Sequence, residues 1–196
     1  MSDNEPQGAT PIDPDEAEEL LAGHIRTRSE LNEWEQQNIL RAASWLRRTR
    51  MDILSEEFVR ELHRKMFDQT WGWAGRYRTT DKNIGLPWYQ IPSSVKDLVD
   101  DGRYWMENET HFPDEAALRL HHRMVWIHLF PNGNGRHARL WCDSLLESWG
   151  RPPFAWRNRE LDNMGDARTS YITALRAADG YDFGPLFELF LTERSA

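Results

Sequence analysis

Cysteine is almost absent: Cys142 stands alone in 196 residues. No internal disulfide can form, no Cys/His spacing builds a structural zinc site, and such a chain suits a reducing compartment. Long apolar runs are missing too, since stretches such as Met124 to Ile127 extend for only a few residues. That falls far short of the ~20 residues needed to cross a bilayer, so no membrane-spanning helix is expected. The opening MSDNEPQGATPIDPDEAEEL has neither the basic start nor the apolar stretch of a secretory signal, which makes the cytoplasm the expected location. Net positive charge is also lacking. A formal charge of -8 argues against a general nucleic-acid binder, because neutralising phosphates takes clustered basic residues.

What is present is unevenly spread. Residues 1–35 hold ten acidic side chains against Arg26 and Arg28, an excess as large as that of the whole chain. Residues 119–159 hold seven arginines against Asp143 and Glu147, a basic stretch that suits a compact anionic ligand or a solvated helix face. An apolar content of 39% is enough for one substantial core. Residues 1–13, with Pro6, Gly8, Pro11 and few apolar side chains, read as a disordered acidic leader. An N-terminal helical segment over 14–50 and a main domain over 51–196 follow.

Helical spacing dominates both, so the expected fold class is all-α. Thr27 and Glu30 form a capping box ahead of Leu31, Trp34, Asn38, Ala42 and Trp45, predicting a helix from about 28 to 48. Ser55 caps a second helix with the stripe Phe58, Leu62 and Met66. Further helices are expected from Ser93 or Ser94, over about Asp114–Ile127, from about Gly135 to Trp149, over about Asn163–Ala178 and over about Pro185–Thr192. Most of the ten tryptophans fall at helical core spacing and are expected to be buried. Between Asp68 and Pro92 the period is lost. This glycine- and aromatic-rich stretch reads as a long ordered loop carrying a short hairpin with Gly85 near its turn.

The segment His128-Leu-Phe-Pro-Asn-Gly-Asn-Gly-Arg-His-Ala-Arg139 is a turn feeding a helix N-terminus. Gly133 and Gly135 leave backbone N–H groups unshielded beside the positive end of that helix, so the loop can cradle phosphate oxygens. Arg136 and Arg139, one turn apart, can reach the same anion, and Asn134 can donate its amide to another oxygen. His128 ends the preceding helix, where an imidazole of pKa ~6.5 can take the proton from an attacking hydroxyl. Phe130 is expected to pack inward. His121, seven residues earlier on the same face, is expected to shape the pocket, while His121, His122 and His137 lack a compact metal spacing. Seven fixed residue types at ~5% usage each coincide by chance about once in 10⁹ starts.

These residues resemble the Fic signature, HxFx(D/E)GNGRxxR, at every signature position except Asn132. WAGRYR and NIGLPWYQIP upstream extend the resemblance over residues 27–190, and within the family the chain is most similar to the proteins called mobile mystery protein B. The resemblance implies a Fic-like helical bundle with a short β-hairpin flap. It also implies a protein adenylyltransferase that uses ATP and Mg²⁺ to place AMP on a Ser, Thr or Tyr hydroxyl of a protein substrate, self-modification included. His128 would deprotonate that hydroxyl, Gly133, Asn134 and Gly135 would form the anion cradle, Arg136 and Arg139 would hold the outer phosphates, and Asn83, Ile84, Gly85 and Leu86 would form the flap. Doc-like phosphotransferases carry lysine where this chain has Gly135, which favours AMP transfer; Doc-like phosphotransfer and a catalytically weak nucleotide-binding module are the alternatives. Asn132 stands where the family has a magnesium-binding Asp or Glu, and its amide oxygen can ligate the ion without contributing charge. Ser29 and Glu33 fit the first part of the inhibitory pattern (S/T)xxxE(G/N), with Trp34 in its last place, which implies a Glu33–Arg139 pair.

Overall fold

The computed structural model of the chain describes residues 12–23, 25–156, 161 and 165–192. All but the end of the expected leader lies outside them, as does the expected helix start at Asn163. Among the described residues the elements are α1 (Pro14–Glu18), α2 (Arg28–Leu46), α3 (Glu56–Phe67), a 3-10 turn (Trp88–Gln90), α4 (Ile91–Glu107), α5 (Pro113–Ile127), α6 (Asn134–Ser148), α7 (Asp166–Asp179) and α8 (Gly184–Phe190). The all-α class holds, and among the described residues the one β feature is an isolated bridge between Leu20 and Trp71.

The caps read from sequence are formed. The Thr27 hydroxyl accepts the Glu30 N–H at 3.2 Å while the Glu30 carboxylate accepts the Thr27 N–H at 2.9 Å, and Ser55 accepts the Phe58 N–H at 3.1 Å. α4 starts at Ile91, ahead of the expected Ser93 or Ser94, because Pro92 fits the first helical turn, where its missing N–H has no intrahelical partner to lose.

α5 and α6 form the centre. α4 packs on α5, α3 on α6, α2 on α3, and the α7–α8 pair covers another side of α5. The two central helices bury residues on two sides because each faces two clusters. Leu120, Met124 and Trp141 join Phe58, Leu62, Met66 and Leu98, whereas Leu118, Cys142 and Leu146 join Trp156, Tyr171 and Phe190. Cys142 is a small core residue. Trp71, Trp73, Trp141 and Trp156 are buried as expected, but Trp88 and Trp126 are each 44% exposed.

Residues 19–22 run beside 70–72: the Leu21 N–H donates to the Thr70 carbonyl and the Gly72 N–H to the Glu19 carbonyl, both at 2.9 Å. α1 is tied to the same region by Lys82, whose ammonium meets Asp13 at 2.7 Å and Glu16 at 2.6 Å. The amino-terminal residues therefore form a strap over the long loop that follows α3.

Candidate active site

Helix α5 ends on an unusual residue. His128, its C-cap, adopts the left-handed conformation with φ 57° and ψ 64° and is 4% exposed. A non-glycine residue there costs about 1–2 kcal/mol, so the surroundings must hold it. Its carbonyl accepts the Arg78 Nε–H at 2.6 Å, and Gly85 lies so close that a Cβ on it would collide with the His128 Cβ. Gly85, at φ +96°, thus answers two demands at once, a left-handed backbone and close approach to the histidine. Burial pushes the His128 imidazole down to about 4; the charges of Arg78 and Lys82 push the same way, and a hydrogen bond to the Val125 carbonyl opposes them. The ring is neutral at physiological pH, the form a general base requires.

The turn beyond it is built from α3 upward. His63, fully buried on α3, accepts the Gly75 N–H at Nδ1 at 3.0 Å, which leaves the ring proton on Nε2 to be donated to the Asn132 carbonyl at 3.1 Å. Its ring stacks on Phe130 with centroids 3.7 Å apart, and Phe130 is fully buried as expected. Gly133 takes φ 78°, and a Cβ there would lie 2.6 Å from the Phe67 ring, so no other residue fits the floor of this turn.

One expected anion contact is not formed. Asn134 accepts the Phe130 N–H at Oδ1 (2.9 Å) and donates from Nδ2 to the Phe130 carbonyl (2.8 Å), so both ends of its amide close the turn instead of facing a ligand. The Asn132 side chain also turns inward, its Oδ1 accepting the Gly133 N–H at 2.7 Å. The cradle is left to the first amides of α6, at Asn134, Gly135 and Arg136, which precede the first ladder bond, His137 N–H to Gly133 carbonyl at 2.9 Å. Gly135 has open space around it apart from the Arg139 guanidinium at 3.6 Å, and Arg139 is 8% exposed.

Arg136 is already paired. Its Nη1 meets Glu35 Oε2 at 2.6 Å, the guanidinium lies over the Phe67 ring at 5.0 Å, and Glu35 also accepts the Trp71 indole N–H at 2.7 Å. The acid that α2 sends to the motif is therefore Glu35, on Arg136, and the Glu33–Arg139 pair expected from the inhibitory pattern is not its counterpart: Ser29 and Glu33 are both exposed. Periodicity carried the signal, because Leu31, Glu35, Asn38, Ile39 and Ala42 form the buried stripe of α2 and Glu33 falls off it.

The flap is a second correction. No strand forms over residues 81–90. Asn83, Ile84, Gly85 and Leu86 make a bend closed by Asp81, whose Oδ1 accepts the Trp88 N–H at 2.9 Å, and docked by the Leu86 N–H on the Ile127 carbonyl at 3.3 Å. Bonding to α5 takes the place of cross-strand pairing. Asn83, Ile84 and Gly85 remain exposed, so the bend presents backbone outward beside His128. His121 bonds the Tyr171 hydroxyl at 2.8 Å and packs on Trp156 in the second cluster, and it meets the motif helix at the Ala138 backbone and the Arg139 charge, away from His128.

The junction of α5 and α6 thus combines a neutral buried imidazole, helix-start amides and two arginines, which together can bind a polyphosphate and accept a proton. Residues 53–146 match the Fic/DOC family model. The chain is 30% identical over 141 residues to the protein adenylyltransferase Fic of Nematostella vectensis, covering 69% of this chain and 31% of that one. It is likewise 30% identical over 135 residues to the protein adenylyltransferase fic-1 of Caenorhabditis elegans, with 60% and 26% covered. A solved fragment of the C. elegans Fic-1 superposes with a TM-score of 0.63 at 25% identity, covering 85% of this chain and 50% of that one. The chain spans about a quarter to a third of the length of these curated relatives. Through the domain that carries this junction, the chain belongs to the Fic/DOC family.

Proposed function

We propose that the chain is a protein adenylyltransferase that moves AMP from ATP to a Ser, Thr or Tyr hydroxyl of a protein, itself included. The observation that carries this reading is the neutral, buried His128 held in a left-handed turn between the α6 amides and the Gly85 bend. The target oxygen bonds to the α-phosphorus as the bond to the bridging oxygen of the leaving pyrophosphate breaks, and the hydroxyl proton passes to His128. The amides of Gly135 and Arg136 and the guanidinium of Arg139 face the phosphates, and the exposed backbone of Asn83 to Gly85 aligns an extended target segment by main-chain hydrogen bonds. On this reading residues 51–196 are the catalytic domain and 14–50 its regulatory segment.

Magnesium would arrive with the nucleotide. Among the described residues no three His, Cys, Asp or Glu side chains are grouped to hold a cation, and Asn132 offers one neutral oxygen that already accepts the Gly133 N–H. Phosphates and water would supply most of its ligands, and the bound ion would offset phosphate charge.

The Glu35–Arg136 pair favours a second reading, a resting form in which a phosphate-binding arginine is withheld. The test is intact-mass analysis after incubation with ATP and Mg²⁺, using wild type, Glu35→Gln and His128→Ala with Glu35→Gln. A gain of one AMP that needs His128 supports transfer, and a gain of one phosphoryl group would assign Doc-like chemistry. ATP binding with no mass gain in any form would sink both and leave a binding module. No helix among the described residues is long and apolar enough to cross a membrane, and the lone buried Cys142 supports the proposal of a cytoplasmic site of action.

A further inference from the structure

Arg78 is a cation in an unusual setting. Its side chain is wholly buried, and its ion-pair partner Asp81 stands 3.9 Å away and is 68% exposed, so carbonyl oxygens carry the charge. The guanidinium donates from Nε to the His128 carbonyl at 2.6 Å and from Nη1 to the Thr80 carbonyl at 2.8 Å, and from Nη2 to the Leu86 carbonyl and to the Ile127 carbonyl at 3.4 Å. Its own N–H donates to the Leu129 carbonyl at 3.0 Å. Three of these acceptors belong to the end of α5 and the start of the motif; the other two belong to the base of the bend that carries Gly85.

We propose that Arg78 is a positioning residue that fixes the target-receiving bend to the backbone of His128. The proposal rests on the adenylyltransferase reading for its catalytic consequence, though not for its geometry. A fork of five N–H donors can serve carbonyls in divergent directions, and the negative end of α5 adds a charge that prefers a cation. A helix cap alone would need only the α5 carbonyls. The bonds to Thr80 and Leu86 set the distance between the bend and the base, and the one Arg78 guanidinium touches both. Arg78 also faces the His128 ring as a charge, together with Lys82, itself paired with Asp13 and Glu16. Geometry and charge can therefore be separated by substitution.

The experiment uses the full chain as wild type, Arg78→Lys and Arg78→Met. Amide exchange is followed across residues 81–90 and across α3 and α6, the His128 ring is titrated by NMR, and AMP transfer from α-labelled ATP is measured on the protein itself and on casein. Lysine keeps the charge and loses the fork. In Arg78→Lys, exchange at Leu86 should rise by about tenfold or more with α3 and α6 unchanged, and transfer should fall by about tenfold or more, while the His128 titration moves up less than in Arg78→Met. In Arg78→Met the bend should loosen in the same way and the titration should also move up toward 6.5. Wild-type exchange over 81–90 in Arg78→Lys would overturn the proposal, as would equal loss of protection in the bend and both helices. If wild type itself transfers no AMP, exchange and titration still decide the positioning role, and only the adenylyltransferase reading falls.

Discussion

Glu35 serves two donors with one carboxylate, Oε1 toward the Trp71 indole and Oε2 toward Arg136. Glu35→Gln keeps an acceptor for the indole and removes the charge that holds Arg136. Self-labelling with α-labelled ATP should rise by about tenfold or more, since each factor of ten corresponds to about 1.4 kcal/mol of released competition. The cost in stability should be about 1–2 kcal/mol, below the usual toll for a fully buried pair because Arg136 keeps some solvent contact. Glu33→Gln should leave both quantities unchanged. Gly85→Ala tests the other side of the base. A methyl group must displace either the bend or the histidine, so transfer should fall by about a hundredfold in a protein whose urea midpoint moves little, since the bend is exposed.

At the scale of elements, α2 is both a structural layer and the carrier of Glu35. Removing its cap by Thr27→Ala should lower stability by about 1 kcal/mol in urea titrations, and transfer should rise slightly as the first turn frays. Such elements were legible in the sequence because local rules determine them: Thr27, Ser55 and the apolar stripes of α3 and α5 mark helices without reference to any distant residue. The glycine turn at 133 was legible for the same reason. The bend at 83–86 was not, because its hydrogen bonds go to the Ile127 carbonyl and to Arg78 instead of to a partner strand. Asn134 was misjudged through its neighbours: an amide beside two glycines looks available, but the Phe130 backbone claims both of its ends. Arg78 closes the WAGRYR segment that carries part of the resemblance, but its role was not legible there, since nothing local distinguishes it from the exposed Arg76 two residues before it.

The whole molecule should be sensitive to acid. His63, His121, His128 and His137 are buried and held below the ordinary imidazole value of 6.5, His121 to about 3 and His128 and His137 to about 4, with burial the largest cause in each. Below pH 6.5 the unfolded chain takes up protons at these positions and the folded chain does not, so stability falls with pH from 6.5 toward 4. Asp143 acts in the opposite sense. Burial raises it to about 7, so it is protonated in the fold and ionised in the unfolded chain between 3.8 and 7, and it favours the fold as pH drops. Four groups outweigh one, and a net uptake of about three protons sets a limiting slope of about 4 kcal/mol per pH unit. Urea midpoints measured from pH 7.5 to 4.5 should decline steeply below 6.5, and a flat profile would contradict the buried neutral imidazoles. The amino-terminal strap has a practical outcome at this same scale. Since Asp13 and Glu16 grip Lys82 next to the bend, residues 12–16 border the face proposed to receive a substrate protein, and replacing Lys82 would unfasten the edge of that face.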